Sequence, residues 1–165
     1  MIETRRFVCN PLQENCYVVS DETKECVIID CGAFTSEEFD KIETYISKKS
    51  LIPKHLICTH GHLDHNFGNM AVYEKYNLIP EVMEQDNYLM NNIKQQYLKF
   101  FAEPYQGEVP PFKNITDSKI KFGNSEITII HTPGHTPGSV VFWLKNDKTA
   151  FTGDTLFQNS IGRVD

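Results

Sequence analysis

Thr59-His60-Gly61-His62-Leu63-Asp64-His65 directly follows an apolar run at residues 56–58, and it places four candidate metal ligands within six residues. Side chains two residues apart in an extended segment point the same way, so His60 and His62 are predicted to face one ion. Asp64 and His65 are adjacent and are expected to point apart, which suits a second ion beside the first. Because zinc and its divalent neighbours prefer imidazole and carboxylate ligands, the stretch predicts a metal site at the end of a buried strand.

A second histidine stretch is His131-Thr132-Pro133-Gly134-His135-Thr136-Pro137-Gly138, whose two Pro-Gly pairs predict a rigid, tightly turning loop after a strand. A catalytic zinc usually takes three protein ligands and keeps one position for water. His135 is therefore the expected third ligand of the ion that His60 and His62 hold. His131 lies closer to the strand, and a structural or ligand-supporting role is favoured for it.

A third stretch, Phe151-Thr152-Gly153-Asp154-Thr155, places a carboxylate at the end of an apolar strand, directly after a glycine. Such a carboxylate is costly to bury unless it is ionised against a cation. Asp154 could bridge two metal ions with its two oxygens. Alone this signal is weak, but together with the two histidine stretches it is strong.

These three stretches, as H-x-H-x-D-H, a TPGHTPGS loop and FTGDTLF, resemble the metallo-β-lactamase superfamily, and within it the single-domain glyoxalase II-like hydrolases. The resemblance covers nearly the whole chain, because Asn15-Cys16-Tyr17 and Ile29-Asp30-Cys31-Gly32 match the early strands of that family. Gly162-Arg163-Val164-Asp165 matches its late turn.

The resemblance implies an α/β fold, an αββα sandwich with the metal site on loops along one edge of the sheets. It implies that His60, His62 and His135 bind the first metal, that Asp64 and His65 bind the second, and that Asp154 lies between them. Asp30 is then expected to hold the ligand loop from behind the metal. The implied cofactor is zinc, as one or two ions, and the same ligands also accommodate iron or manganese.

The chain departs from the family pattern at its end. The family completes its second site with a histidine in a later PGHG-like segment, whereas this sequence has no histidine after His135. The favoured interpretation is that residues 1–165 are a single metallo-β-lactamase-like domain that lacks the final strand, the final helix and the last ligand segment. The alternative is that Asp64, His65 and Asp154 alone hold the second metal. An unfinished sandwich would gain by pairing with a second copy, so a homo-oligomer stays open.

Composition narrows the class of protein. The 165 residues are 40% hydrophobic and 23% charged, which is typical of one globular domain, and the net charge of −6 argues against nucleic-acid and anionic-membrane partners. No apolar run reaches the length of a membrane span or a signal peptide, so a cytoplasmic location is expected. The five cysteines contain no C-x-x-C pair and read as small buried hydrophobes.

Local patterns predict strands at residues 15–19, 26–30, 55–59, 78–82, 119–122, 126–131, 139–144 and 149–152. They predict a first helix that begins after a capping box at residues 35–38 and ends before Pro53, and further helices at residues 66–76 and 85–102. Residues 103–114 contain three prolines and are expected to form a loop or lid. There Tyr105 is the favoured substrate contact. The aromatic residues of the preceding helix could shape an acyl or thiol pocket beside the metals, but packing of that helix onto the sandwich is the favoured role for Tyr88, Tyr97, Phe100 and Phe101.

A bound divalent cation lowers the pKa of a coordinated water from about 15.7 toward about 7. The lead hypothesis is therefore a metal-dependent hydrolase whose metal-bound hydroxide attacks an acyl carbon, with Asp64 and Asp154 as the catalytic carboxylates. The expected substrate is a small-molecule thioester or glutathione conjugate of the hydroxyacylglutathione type, since a thiolate leaves without a strong general acid. Two alternatives stay open, an iron-dependent persulfide dioxygenase and a catalytically inactive metal-binding fragment.

Overall fold

The structure is a computed structural model that describes residues 1–164. Asp165, the last residue of the late turn quoted above, lies outside the described residues. The strands are β1 Glu3–Cys9, β2 Glu14–Ser20, β3 Glu25–Ile29, β4 Ile52–Ile57, β5 Pro80–Val82, β6 Lys113–Asn114, β7 Lys119–Phe122, β8 Ser125–His131, β9 Val140–Leu144, β10 Thr149–Phe151, β11 Leu156–Phe157 and β12 Ser160–Ile161. The helices are α1 Ser36–Lys48, α2 Asn69–Tyr76, α3 Asn87–Met90 and α4 Ile93–Phe101, with 3₁₀ turns at Leu63–His65 and Glu84–Asp86.

The first sheet has six strands in the order β1 to β6. Strands β1, β2 and β3 are antiparallel neighbours, and the pairs β3–β4, β4–β5 and β5–β6 are parallel. The two parallel crossovers that follow β3 and β4 pass through α1 and α2 respectively. Because parallel strands end at the same edge of a sheet, residues that follow β3 and β4 meet there.

The second sheet is antiparallel, with four strands in the order β10-β9-β8-β7. Strands β11 and β12 form a separate short hairpin after it. Residues 132–139 connect β8 to β9, and the amide of Val140 at the start of β9 donates to the carbonyl of Thr59 at 2.9 Å. This bond brings the loop with the second histidine stretch against the segment with the first.

Apolar side chains on alternate positions build two cores on the two faces of the first sheet. Val19, Ile29 and Ile57 face the second sheet, where they pack with residues such as Phe122 and Phe142. Val18, Ile28 and Leu56 face the other way and pack against α1 and α2 through Ile42, Ile46 and Val72. Continuous apolar runs occur in β2, in β3 and at the end of β4, because both faces of the sheet are buried there.

The first helix begins as its sequence predicts. Thr35 is the N-cap, and its hydroxyl accepts a hydrogen bond from the amide of Glu38 at 3.3 Å. The Glu38 carboxylate accepts from the amides of Phe34 at 2.7 Å and Asn10 at 2.9 Å, so it also anchors the β1–β2 turn. Thr35 thus caps the helix start, while Glu38 bonds the residue before the cap and one loop near the sheet edge instead of closing the full capping box.

The mixed α/β sandwich is confirmed, and so are most of the predicted strands. The hydrophobic clusters of residues 1–164 include no helix on the outer face of the four-stranded sheet, so the described layers are one helical layer and two sheets. The expectation of a missing final strand, helix and ligand segment stays a prediction.

The helix predicted at residues 85–102 is wrong as a single element. The chain forms a 3₁₀ turn and then α3 and α4, which are separated at Asn91 and Asn92. The Asn92 side chain donates to the carbonyl of Tyr88 at 2.6 Å, a local bond that competes with continuous helix. The helix predicted at residues 66–76 begins only at Asn69, after the 3₁₀ turn Leu63–His65.

All five cysteines are buried and free, as the sequence suggested. None of the helices in residues 1–164 combines the length and the apolar character that crossing a membrane requires. The cytoplasmic location, the homo-oligomer and the exclusion of nucleic-acid and membrane partners stay predictions.

Candidate metal centre

The predicted site residues lie together at one edge of the sandwich. His60 and His62 follow β4, Asp154 follows β10, and His135 lies in the loop between β8 and β9. Each group sits just beyond the end of a strand whose apolar side chains are fixed in a core. The sheet edges therefore bring together residues that are far apart in the chain.

The first histidine group unites His60, His62 and His135, whose ligand atoms all lie within 4.8 Å of one another. Nδ1 of His62 is 2.9 Å from Nε2 of His135, and the ring of His60 lies 4.8 Å from each of the other two rings by centroid. Nδ1 of His135 donates to the carbonyl of Arg163 at 3.0 Å, which leaves its Nε2 for a metal.

A second group shares His60 and adds His65 and Asp154, again within 4.8 Å. Nε2 of His65 is 3.2 Å from Oδ1 of Asp154, and Oδ2 of the same carboxylate is 3.4 Å from Nε2 of His135. The two oxygens of Asp154 thus face one imidazole of each group, which is the arrangement that a bridging carboxylate needs.

Asp64 and His65 do not point apart, so that expectation is wrong. Leu63–His65 is a 3₁₀ turn instead of an extended segment, and Nε2 of His65 lies 3.6 Å from Oδ2 of Asp64. The carboxylate of Asp64 therefore faces the same space as His65 and Asp154. It lies outside the tighter ligand groups, at the cleft side of the centre.

Asp30 supports the centre from behind, as the resemblance implied. Its carboxylate accepts hydrogen bonds from the amide and the hydroxyl of Thr59, both at 2.6 Å, and Oδ2 lies 3.0 Å from Nδ1 of His65. The Thr59 hydroxyl in turn accepts from Nδ1 of His60 at 3.1 Å. His60 and His65 are both held through Nδ1, so their Nε2 atoms point into the centre.

Electrostatics divides these histidines into two kinds. Burial lowers the pKa of His60 well below its usual range, and the neighbouring imidazoles add to this effect. Burial also acts to lower the pKa of His65, but Asp30 and Asp154 together raise it well above its usual value. Burial acts to raise the pKa of Asp154, yet its contact with His65 lowers it. A cation held here would meet a neutral His60, and its binding to His65 would require that residue to release a proton.

Glu14, which the sequence reasoning missed, lies beside His65. Its side chain is 1% exposed, and neither carboxylate oxygen has a hydrogen-bond partner within residues 1–164. Burial raises the pKa of Glu14 to about 10, so the group is a neutral acid at pH 7. Oε1 is 3.8 Å from Nδ1 of His65, on the side of the ring away from Asp154.

The residues present fit a divalent transition metal. Nε2 of His60 is buried and has no hydrogen-bond partner within residues 1–164, which is costly unless the atom binds something. Imidazole nitrogens and carboxylate oxygens surround it, a donor set that suits zinc, iron or manganese. We place the candidate ligands at His60, His62, His135, Asp154, Asp64 and His65, and their role as ligands stays a prediction.

An open cleft of about 1040 Å³ leads to the centre. His62, Asp64, His65 and Asp154 form its floor, and apolar or aromatic side chains form its walls, namely Leu12, Tyr88, Leu89, Phe100, Phe101 and Phe157. Lys99 adds a cation to the wall that α4 contributes. Packing of a helix onto the sandwich was the favoured role of Tyr88, Phe100 and Phe101, but these residues line the cleft, as the alternative interpretation held.

Two sequence candidates lie elsewhere. His131 is exposed, and its Nε2 lies 2.8 Å from the carbonyl of Pro137, so it supports the loop, as favoured, and does not reach the centre. Tyr105 lines a separate, smaller pocket with Phe34, Phe67 and Tyr97. Its ring packs 5.0 Å from that of Tyr97, so it does not contact the metal cleft.

Two further residues hold the first histidine segment, and no local pattern pointed to either. The Gln96 side chain accepts from the amide of Leu63 at 3.0 Å and donates to the carbonyl of Gly61 at 3.2 Å. Asp86 accepts from the amide of Gly61 at 2.9 Å. Both lie in the run that was predicted as one helix, where polar side chains normally face water.

Comparison with known proteins shows what the chain is similar to. Over 155 residues it is 34% identical to hydroxyacylglutathione hydrolase GloC of Haemophilus influenzae, a match that covers 93% of this chain and 71% of that protein. The crystal structure of BLEG-1 B3 metallo-beta-lactamase superposes with a TM-score of 0.83 at 27% identity, over 98% of this chain and 76% of that one. TTHA1623 in a di-iron-bound form superposes at 0.81 with 28% identity, over 98% and 77%.

The family model for the Metallo-beta-lactamase superfamily matches residues 9–165, a range that contains all of the candidate ligands and the residues that support them. The family match extends over nearly the whole chain, and the cluster of histidine and aspartate residues lies at the expected edge of the sheets. Both observations lead to the same assignment. This chain belongs to the metallo-beta-lactamase superfamily.

Proposed function

We propose that this chain hydrolyses thioesters of the hydroxyacylglutathione type in a metal-dependent reaction. Membership in the superfamily supports a metal-using hydrolase. The observation that carries the proposal is the meeting of His60, His62 and His135 beside Asp154. Of these four residues, His62 and Asp154 line an open cleft. The 34% identity to a hydroxyacylglutathione hydrolase supports the choice of substrate class.

A divalent cation bound to these residues supplies a water of lowered pKa and polarises the acyl carbonyl. The side chains of the chain do the positioning. The carboxylates of Asp64 and Asp154 face the cleft, where they can orient a water molecule and accept its proton. The leaving thiolate takes up that proton in solution, so that water and thioester give an acid and a thiol.

Asp30 keeps His65 in a fixed orientation throughout, because it holds Nδ1 while Nε2 faces Asp154. The apolar wall of the cleft excludes water from the acyl group, and Lys99 offers a partner for an anionic group on the substrate. The cleft thus supplies an apolar surface, a cation and two carboxylates around one reacting centre.

The test is hydrolysis of S-lactoylglutathione by the chain reconstituted separately with Zn(II), Fe(II) or Mn(II). We expect turnover with at least one metal, and His62→Ala should lower it on the order of 10²-fold, because one of three imidazoles is lost. Equal rates in the two proteins would remove the proposal. Nitrocefin serves as a parallel substrate, and turnover of nitrocefin alone would favour β-lactam hydrolysis, the activity named for BLEG-1.

A persulfide dioxygenase that uses iron is the second candidate. The similarity to TTHA1623 in a di-iron-bound form favours iron as one metal to load. Two histidines and a carboxylate form an iron-binding triad, and the group of His60, His65 and Asp154 offers one. Oxygen uptake with glutathione persulfide, in the absence of thioester cleavage, would select this reaction. Metal binding without any turnover would select the inactive fragment.

A further inference from the structure

Asp86 is a fully buried carboxylate that belongs to none of the candidate ligand groups. It ends the 3₁₀ turn Glu84–Asp86, between β5 and α3. Burial of a charge is expensive unless hydrogen bonds compensate it, so the partners of this side chain decide what it contributes.

The carboxylate joins the two histidine segments. Oδ2 accepts from the amide of Gly61 at 2.9 Å and from the hydroxyl of Thr136 at 2.7 Å, and Oδ1 accepts from the amide of Gly138 at 2.7 Å. Gly61 lies between His60 and His62, and Thr136 follows His135. A single side chain is therefore bonded to the neighbours of all three imidazoles of the first group.

Two glycines permit this close approach. A Cβ atom at Gly138 would lie 2.6 Å from Cγ of Asp86. A Cβ atom at Gly61 would lie 2.7 Å from Cβ of Leu89 and 3.2 Å from the backbone oxygen of Asp86. Neither contact can be accommodated without movement, so both histidine segments carry a glycine where they meet Asp86.

The geometry points to Asp86 as a positioning residue that sets the spacing of the two histidine segments and so prepares the first metal site. This inference rests on the proposed metal-dependent function. The hydroxyl of Thr136 is also 2.8 Å from Oγ of Ser139, whose oxygen accepts from the Thr136 amide at 3.0 Å. The carboxylate is thus bonded to a loop that also has its own internal hydrogen bonds. The position of Asp86 therefore restrains the position of His135.

Asp86→Asn tests the inference, because an amide cannot accept at both oxygen positions and one of the three hydrogen bonds must be lost. We expect the affinity for the first Co(II) ion to fall roughly 10- to 100-fold, the effect typical of removing a group that orients metal ligands. The visible absorption of bound Co(II), which reports ligand geometry, should change as well. Hydrogen–deuterium exchange of the metal-free chain should rise in residues 59–65 and 132–139.

Asp21→Asn is the matched control. Asp21 is also buried, and it also joins two turns, through the amides of Thr23 and Asn124 and the hydroxyl of Ser125. It lies away from the metal centre, where the β2–β3 and β7–β8 turns meet. We expect Asp21→Asn to lower thermal stability without changing the Co(II) affinity, the Co(II) spectrum or exchange in the histidine segments.

Thr136→Val and Thr136→Ser give a second, milder pair. Thr136→Val removes one hydrogen bond to Asp86 and should weaken Co(II) binding. Thr136→Ser keeps the hydroxyl and should bind Co(II) with the affinity of the wild type. Wild-type affinity, spectrum and exchange in both Asp86→Asn and Thr136→Val would overturn the inference, and so would equal losses in Asp21→Asn. If the wild-type chain binds no Co(II), the proposed function fails, and the exchange measurement still decides whether Asp86 fixes the two segments.

Discussion

Nδ1 of His62 lies 2.9 Å from Nε2 of His135, although 73 residues separate the two in the chain. Imidazole nitrogens are ligands that zinc prefers, so two of them this close form part of a candidate metal site. The fold therefore brings the two histidine segments together at the site where we expect the metal-dependent chemistry of the superfamily.

Replacement of His135 should abolish the first metal site. We expect His135→Ala to reduce the bound Zn(II), measured by elemental analysis after gel filtration, by about one ion per chain, because two imidazoles do not complete a catalytic zinc site. His131→Ala is the matched control from the end of β8, just before the loop that carries His135, since its ring is exposed and its Nε2 bonds the carbonyl of Pro137. Equal metal content in His135→Ala and the wild type contradicts the assignment.

The histidine segments could be predicted from sequence because the ligand spacing is local. His60 and His62 lie two residues apart, and the strand before them is a short apolar run. The identity of their supports could not be predicted. Asp86 is 25 residues from Gly61 and 50 from Thr136, and only the packed fold shows that it bonds both.

The same limit explains the errors in the fold. Strand β1 was missed because five of its seven residues, including Glu3 and Arg5, are exposed, which leaves little apolar pattern. The 3₁₀ turn Leu63–His65 was also missed. Its backbone bonds are local, but the amide of Leu63 at its start is satisfied by Gln96, which lies 33 positions away. Burial on both faces, by contrast, leaves a clear local pattern, and β2 to β4 were predicted correctly.

Asp30→Asn should weaken the second metal site more than the first. An amide nitrogen cannot accept, so the variant loses a hydrogen bond from Thr59 or from His65, both of which Asp30 now orients. We expect the affinity for the second ion to fall roughly 10- to 100-fold in a stepwise calorimetric titration with Zn(II). Identical two-step titrations of the variant and the wild type would show that Asp30 does not orient the ligands.

Glu14 should make the metal-free protein less stable as the pH rises. Its pKa is raised from 4.5 to about 10 in the folded state, so between these values the folded chain holds a proton that the unfolded chain has released. Stability attributable to this group is therefore lost as the pH rises through that window. The side chain that Glu14→Gln introduces is neutral at every pH. The free energy of unfolding of this variant should therefore exceed that of the wild type by about 1 to 3 kcal/mol near pH 8, but not near pH 4.

The measurement is urea unfolding of both proteins in the presence of a chelator, at several pH values across that window. Parallel curves of unfolding free energy against pH for Glu14→Gln and the wild type would show that Glu14 is not the buried neutral acid described above.

Lys99 should contribute to the binding of an anionic thioester. It lies on α4 at the wall of the cleft, and it forms no ion pair with a carboxylate of residues 1–164. We expect Lys99→Glu to raise KM about fivefold with little change in kcat, the size expected for one solvent-exposed ion pair. The increase should shrink at high ionic strength because salt screens exposed charges.

Lys94→Glu is the matched control. Lys94 is exposed on the same helix but does not line the cleft, and its replacement changes the net charge equally. An equal rise of KM in both variants would mean that overall charge, and not a contact in the cleft, governs binding of the substrate.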